Sequence, residues 1–178
     1  MAKANIDPVS TLKADHRKVE QLFQRFESAG DDDKREIMHE IKKELAIHTR
    51  IEEEIFYRAV KKVDSELIAE AIEEHNLVES ILAAMERPGL EQEAYEAKFT
   101  SLKESVEHHV EEEEGELFPK VEKMPAVMSL GPRMMERKQA LMSQAERRST
   151  RSRSRALASS RASSGSSGSR ARAGSRAR

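Results

Sequence analysis

Two segments of this chain, His48-Thr49-Arg50-Ile51-Glu52 and His109-Val110-Glu111-Glu112-Glu113, each set a histidine and a glutamate four residues apart. Two further histidines, His16 and His75, stand alone upstream of these pairs. Residues four apart on a helix lie one above the other on the same face. Each pair can therefore offer an imidazole nitrogen and carboxylate oxygens to one point in space. The chemistry this permits is metal binding, provided the face is the buried one.

The elements that would position these residues are helices. Asp7-Pro8 reads as an N-cap followed by proline at the first helical position, and the helix runs to about Ser28. The acidic run Asp31–Asp33 favours a second helix start through the helix dipole, and that helix continues to about Lys62. Asp64-Ser65 caps a third, which ends at Arg87-Pro88-Gly89. A fourth spans about Glu91 to Lys123, with Pro119 as a kink in its last turns. A short fifth helix starts at Pro132 and fades near Arg148. No alternating run bounded by turn residues signals a strand. Short loops between long helices imply antiparallel neighbours. The expected fold is all-α: an up-down-up-down four-helix bundle over 1–148 that includes the short fifth helix.

Apolar stripes at steps of three and four mark the core faces. They read Val9, Leu12, His16, Val19, Phe23, Phe26 in the first helix and Ile37, Ile41, Leu45, His48, Glu52, Ile55, Ala59 in the second. The third gives Ile68, Ile72, His75, Glu79, Leu82, Met85, and the fourth Phe99, Leu102, Val106, His109, Glu113, Leu117. Every stripe is broken by a histidine, and in three a glutamate follows one turn later. Glu20 follows His16 at the same spacing but sits at its stripe's edge. Antiparallel packing brings the four histidines to one level. A buried layer of seven polar groups is costly unless a cation satisfies it. A pair of metal ions resolves the conflict, with His16, His48, Glu52, His75, Glu79, His109 and Glu113 as candidate ligands.

A lone histidine on an apolar face is usually a hydrogen-bonded core residue, and 36% charged residues make chance His–Glu pairs common. Four coincidences at matched stripe positions outweigh that reading. His39 falls far round its helix from the core stripe, and His108 lies one position off; both read as solvent-facing. Glu53, Glu54 and most of Glu111–Glu116 read as solvated faces.

Composition removes other chemistries. There is no cysteine, so disulfides, iron–sulfur clusters and thiolate zinc sites are excluded. Apolar runs fall short of the roughly 18 residues of a membrane span, and the N-terminus lacks a signal-peptide core. The expectation is a cytoplasmic protein. Residues 1–132 carry 18 Lys+Arg against 31 Asp+Glu, a net of −13, whereas 133–178 carry 13 against 2, a net of +11. The region 149–178 is nearly all Arg, Ser, Ala and Gly and is expected to be a disordered tail. Its arginines suit unspecific, salt-sensitive contact with nucleic acid, without aromatic residues for base stacking.

The pattern resembles the haemerythrin-like family, the HHE cation-binding domain. The marks are Asp15-His16, His48-x-x-x-Glu52-Glu53, Glu74-His75, and His109-x-x-x-Glu113-Glu114 with Leu117-Phe118-Pro119. The segment Leu130–Met135 followed by Lys138 is similar to what often follows the bundle in bacterial members. The resemblance implies two non-haem iron ions with an oxo or hydroxo bridge; manganese or a mixed pair also suits the ligand types. By position, the four stripe histidines would be terminal ligands and Glu52 and Glu113 bridging carboxylates. Oxygen carriers of the family have a histidine where this chain has Glu79. A carboxylate there favours the oxidised state and argues against simple oxygen carriage. Tyr57-Arg58 likewise stands where the fourth helix has Phe118-Pro119. The implied roles are a response to dioxygen, peroxide or nitric oxide, or iron sensing. Catalase- or peroxidase-like decomposition of hydrogen peroxide is the enzymatic alternative, with no catalytic residue identified, and a metal-free structural bundle is the third.

Overall fold

The computed structural model describes residues 6–164. Asp7 caps α1 (Pro8–Ser28) by accepting from the Ser10 amide at 3.2 Å. After Gly30 comes α2 (Asp31–Ile51), which passes through a π-turn at Glu52–Phe56 into α3 (Tyr57–Val60). Asp64 accepts from the Leu67 amide at 3.1 Å to start α4 (Ser65–Met85). Gly89 turns the chain at φ 78°, a left-handed conformation that side chains resist. Next, α5 (Gln92–Glu112) passes through a second π-turn, Glu113–Leu117, into α6 (Phe118–Val121). A short α7 (Pro125–Met128) precedes α8 (Gly131–Ser164). With their π-turns, α2–α3 and α5–α6 are continuous rods, so four rods form the bundle. Within it α1 packs on α2 and α4 on α5.

Two compact units divide the chain, Met1–Gln139 and Ala140–Arg178. In the first, one apolar cluster joins Val19, Phe23, Ile41, Leu82, Phe99 and Leu102 across all four rods. Phe56, the last residue of the first π-turn, is wholly buried, as are Val60, Phe118 and Val121 beyond the two turns. The polar layer of the sequence stripes therefore has apolar packing on either side. At the start of α8, Gly131 lies against the Ile6 backbone, where a Cβ would collide with the Ile6 carbonyl.

Three features depart from the sequence expectations. First, the second stripe does not continue to Ala59, which is exposed; Val60 is buried instead. The amide of Tyr57 bonds the Glu52 carbonyl, five residues back, and the amide of Phe118 bonds Glu113 in the same way. Each wide turn inserts one residue, so everything downstream moves on by one position. Pro119 follows the second turn, but the first has no proline, so proline is not the shared cause. Both turns instead begin at a buried glutamate. Second, α4 buries Ala71 and Val78 while Ile72 and Glu79 face outward. Third, α8 does not fade near Arg148 but is helical to Ser164, through part of the segment expected to be disordered. Arginine and alanine are good helix formers, and no glycine or proline interrupts the run before Gly165. The rest of that segment lies outside the described residues. No described helix is long and apolar enough to cross a membrane.

The register shift makes adjacent residues respond oppositely. Ala59→Asp is expected to change stability by no more than about 0.5 kcal/mol, as an exposed substitution. Val60→Asp buries an unpaired carboxylate and should cost several kcal/mol or unfold the protein. Urea unfolding of both variants checks this; equal effects would contradict the one-residue insertion.

Candidate metal centre

The site is built from two similar halves. In one, α1 supplies His16 and the α2 rod supplies His48 and Glu52. In the other, α4 supplies His75 and the α5 rod supplies His109 and Glu113. All six side chains are buried. The Nε2 atoms of His16 and His48 approach to 3.1 Å, and those of His75 and His109 to 3.2 Å. Glu52 lies between the halves: Oε1 is 3.0 Å from His48 Nε2 and Oε2 is 3.3 Å from His75 Nε2. Glu113 Oε2 is 3.3 Å from His16 Nε2 and 3.7 Å from His109 Nε2. These atoms make two groups that share Glu52: His16, His48, Glu52 and Glu113, and Glu52, His75 and His109.

The donor set fits metal ions. Donors each about 2.1 Å from one ion lie about 3 Å apart at right angles, as these do. Both oxygens of Glu52 and Oε2 of Glu113 are buried without a hydrogen-bond partner. A carboxylate so placed needs a cation.

The outer nitrogens show why the inner ones are available. His16 Nδ1 is 2.9 Å from Glu114 Oε1, and His75 Nδ1 is 3.0 Å from Glu53 Oε1. His109 Nδ1 is 2.8 Å from Glu74 Oε2. A carboxylate at Nδ1 holds the ring proton there, fixes the ring and leaves the Nε2 lone pair facing the centre. The fourth ring differs: His48 Nδ1 is 3.8 Å from Asp15 Oδ2 and has no hydrogen bond. His16 stacks on Phe118 at 5.9 Å between ring centroids and His75 on Tyr57 at 5.8 Å, so the residue closing each π-turn packs a ring of the other half. Unlike Phe118, Tyr57 also donates its hydroxyl to Glu113 Oε1 at 2.8 Å.

Without metal, protons do part of the cations' work. Burial opposes a charge on His48, but Glu52, Asp15 and Glu113 outweigh it and push the ring up to about 10. His75 is raised too, with burial opposed by Glu52 and Glu53. Burial opposes ionisation of Glu52, yet His48 and His75 hold it well below the ordinary carboxylate range. Burial and the charge of Glu52 push Glu113 up. The Tyr57 phenol is raised by burial and by the charges of Glu52 and Glu113.

The structure thus brings six of the seven sequence candidates together and leaves one out. Glu79 is exposed and belongs to neither group. His75 has Val78 three residues on and Glu79 four residues on; the sequence stripe runs through the latter, but the helix turns the apolar one inward. Glu20 is exposed as well. His108 is exposed, as expected, and lies at the surface beside Glu74 and Glu112. The partners of the outer nitrogens belong to the sequence marks of the family, but helix periodicity gives them no role at the site. Glu53 and Glu114 look solvated in the sequence, and Asp15 and Glu74 are notable only as neighbours of histidines. The repeat is their signal: each follows a buried glutamate or precedes a buried histidine in both halves.

Val19, Leu45, Val78, Val106 and Val110 enclose a space of about 20 Å³ against the four imidazoles. That is room for about one water-sized molecule.

In the chelator-treated protein, raised His48 stabilises the fold fully below its unfolded value of about 6.5, and that contribution is lost as pH rises through about 10; His75, also raised, acts in the same direction. The expected loss between pH 7 and 10 is on the order of a few kcal/mol. Calorimetry should show its melting temperature falling over this range, and metal-loaded protein should hold its own. Parallel curves would contradict the proton–metal exchange.

Residues 7–121 match the family described as Hemerythrin HHE cation binding domain. Among solved structures, the chain is similar to a Hemerythrin HHE cation binding domain-containing protein from Mycobacterium kansasii. Identity is 27% with a TM-score of 0.66, covering 78% of this chain and 89% of that one. No curated protein matches it. A helical bundle with His/Glu groups at its centre, together with a family match over most of the described residues, identifies this chain as a member of the hemerythrin HHE cation-binding domain family, whose members bind metal.

Proposed function

We propose that the protein holds a pair of non-haem iron ions and uses them to bind a small ligand (dioxygen, peroxide or nitric oxide) in a sensing or protective role. His16, His48, His75 and His109 would be the terminal ligands and Glu52 and Glu113 the shared carboxylates. The observation that carries the reading is that both Glu52 oxygens and Glu113 Oε2, buried without hydrogen-bond partners, face four imidazole nitrogens. When bound, such ions supply Lewis acidity and one-electron redox chemistry. The chain's part is to hold the donors, exclude bulk water and limit ligand size. The valine-lined space beside the imidazoles, with room for about one water-sized molecule, supports a very small ligand. Glu79 has no part in this reading, because it faces solvent.

Hydrogen peroxide decomposition is the second reading. It is favoured by Tyr57, whose buried hydroxyl bonds Glu113 and holds a proton at the edge of the donor set. Unspecific nucleic-acid contact by 149–178 stays a separate proposal. It is supported by the exposed Arg151 and Arg155 on α8 and tested by DNA binding with and without 149–178 at two salt concentrations. Equal binding by both forms would refute it.

Iron-loaded protein should contain two irons per chain and bind azide or nitric oxide with a change in its visible spectrum. Val78→Leu fills the small space, and the expected result is at least about tenfold weaker ligand binding with iron content unchanged; overpacking costs about 1–3 kcal/mol. Undiminished ligand affinity in this variant would contradict the assigned ligand position. Turnover of peroxide that falls in Tyr57→Phe would favour the second reading.

A further inference from the structure

The two halves of the centre invite comparison position by position. The residue after each shared glutamate, Glu53 or Glu114, holds the Nδ1 of the α4 or α1 histidine at 3.0 and 2.9 Å. The residue before each of those histidines, Asp15 or Glu74, faces the outer nitrogen of the second histidine of its half. Glu74 reaches His109 at 2.8 Å, whereas Asp15 stays 3.8 Å from His48. Of the four outer-nitrogen contacts this is the one that is not closed, and α8 lies beside it. Lys138 pairs with the buried Asp15 through Oδ1, with only 17% of the lysine side chain exposed. One turn of α8 is pinned there, because Arg137 also grips Glu54 with two bonds of 2.7 and 2.9 Å. No residue pairs with Glu74 in the corresponding way among the described ion pairs; its other neighbour is the exposed His108, at 3.5 Å.

We propose that Lys138 is a positioning residue which draws Asp15 away from His48 and so makes the two metal positions unequal, the His16/His48 position binding its ion more weakly. This rests on the metal-pair reading above. A carboxylate at the outer nitrogen raises a histidine's basicity and fixes its ring, and losing it costs about 10–100-fold in metal affinity. His75 and His109 both have that support as a hydrogen bond; of His16 and His48, only His16 does, Asp15 acting on His48 from 3.8 Å. The asymmetry gives α8 a means of setting the occupancy of one position without touching a metal ligand.

Cobalt(II) titration of the chelator-treated full chain, followed by calorimetry and visible absorption, tests this. Wild type should bind two ions in separate steps at least about tenfold apart. His16→Ala should remove the weak step and His75→Ala the strong one. Lys138→Met frees Asp15 to close less than about 1 Å onto His48 Nδ1. The weak step should then tighten about tenfold and the cobalt bands should shift, whereas Lys138→Arg should stay close to wild type. In an Asp15→Asn background, Lys138→Met should have no effect. An equal gain there would show a plain charge effect and overturn the positioning role. Two equal steps in wild type, or an unchanged weak step in Lys138→Met, would overturn the proposal while leaving the metal pair standing. Binding of fewer than two ions by wild type would remove both. Thermal melting of each variant keeps folding defects apart from these outcomes.

Discussion

Glu52 is wholly buried, and neither of its oxygens has a hydrogen-bond partner. The rest of the structure can be understood from that constraint. An ionised carboxylate in an apolar interior is tolerated only beside positive charge. His48 and His75 supply that charge as protons or, under the proposed function, all four imidazoles share the carboxylates with a pair of cations. The apolar packing on both sides keeps bulk solvent from the layer, which raises the cost of leaving it uncompensated. The folding core and the functional site are therefore one object. The π-turns belong to the same constraint: each begins at a buried glutamate and ends on the ring that stacks against a histidine of the other half. A wider turn lets the rod present glutamate, aliphatic and aromatic side chains inward in succession, where a regular helix would carry the third away from the core.

The two halves resemble one another closely enough that their differences carry information. Tyr57 replaces Phe118 and adds a hydroxyl at Glu113. Asp15 replaces Glu74, is one methylene shorter, and is paired by Lys138. Both differences lie just outside the six metal-facing side chains and leave each half with the same donor types, two histidines and one glutamate. A protein that tunes two equivalent ions toward unequal tasks has most freedom at that distance, since partners of the outer nitrogens alter ligand basicity without changing ligand identity. The involvement of α8, a helix outside the four rods, places part of that tuning beyond the bundle.

Much of this is legible in the sequence, because helix periodicity and burial follow the same rule. The histidines at 16, 48, 75 and 109 and the glutamates at 52 and 113 stand out as polar residues on apolar stripes. Periodicity fails where a count of 3.6 cannot decide. After His75, steps of three and four reach Val78 and Glu79 alike, and only the glutamate completes the pattern of the other helices; the fold buries the valine. Ala59 falls on the inner stripe because no local signal marks an inserted residue. Glu53 and Glu114 look solvated because half-buried carboxylates on charged helices look like any others until the opposing helix is known. Lys138 lies 123 residues from Asp15, and no spacing rule connects them. The length of α8 escapes for a different reason: composition poor in apolar residues suggests disorder, while helix propensity alone favours continuation.

The central claim is that cations, and not protons alone, balance this layer. Anomalous diffraction from crystals of the purified chain, recorded on both sides of the iron absorption edge, tests it most directly. Two peaks are expected inside the bundle, one beside the His16 and His48 Nε2 atoms and one beside those of His75 and His109, with Glu52 and Glu113 reaching both. An intact bundle with the four rings in place and no anomalous peak between them, from protein never exposed to chelator, would contradict it.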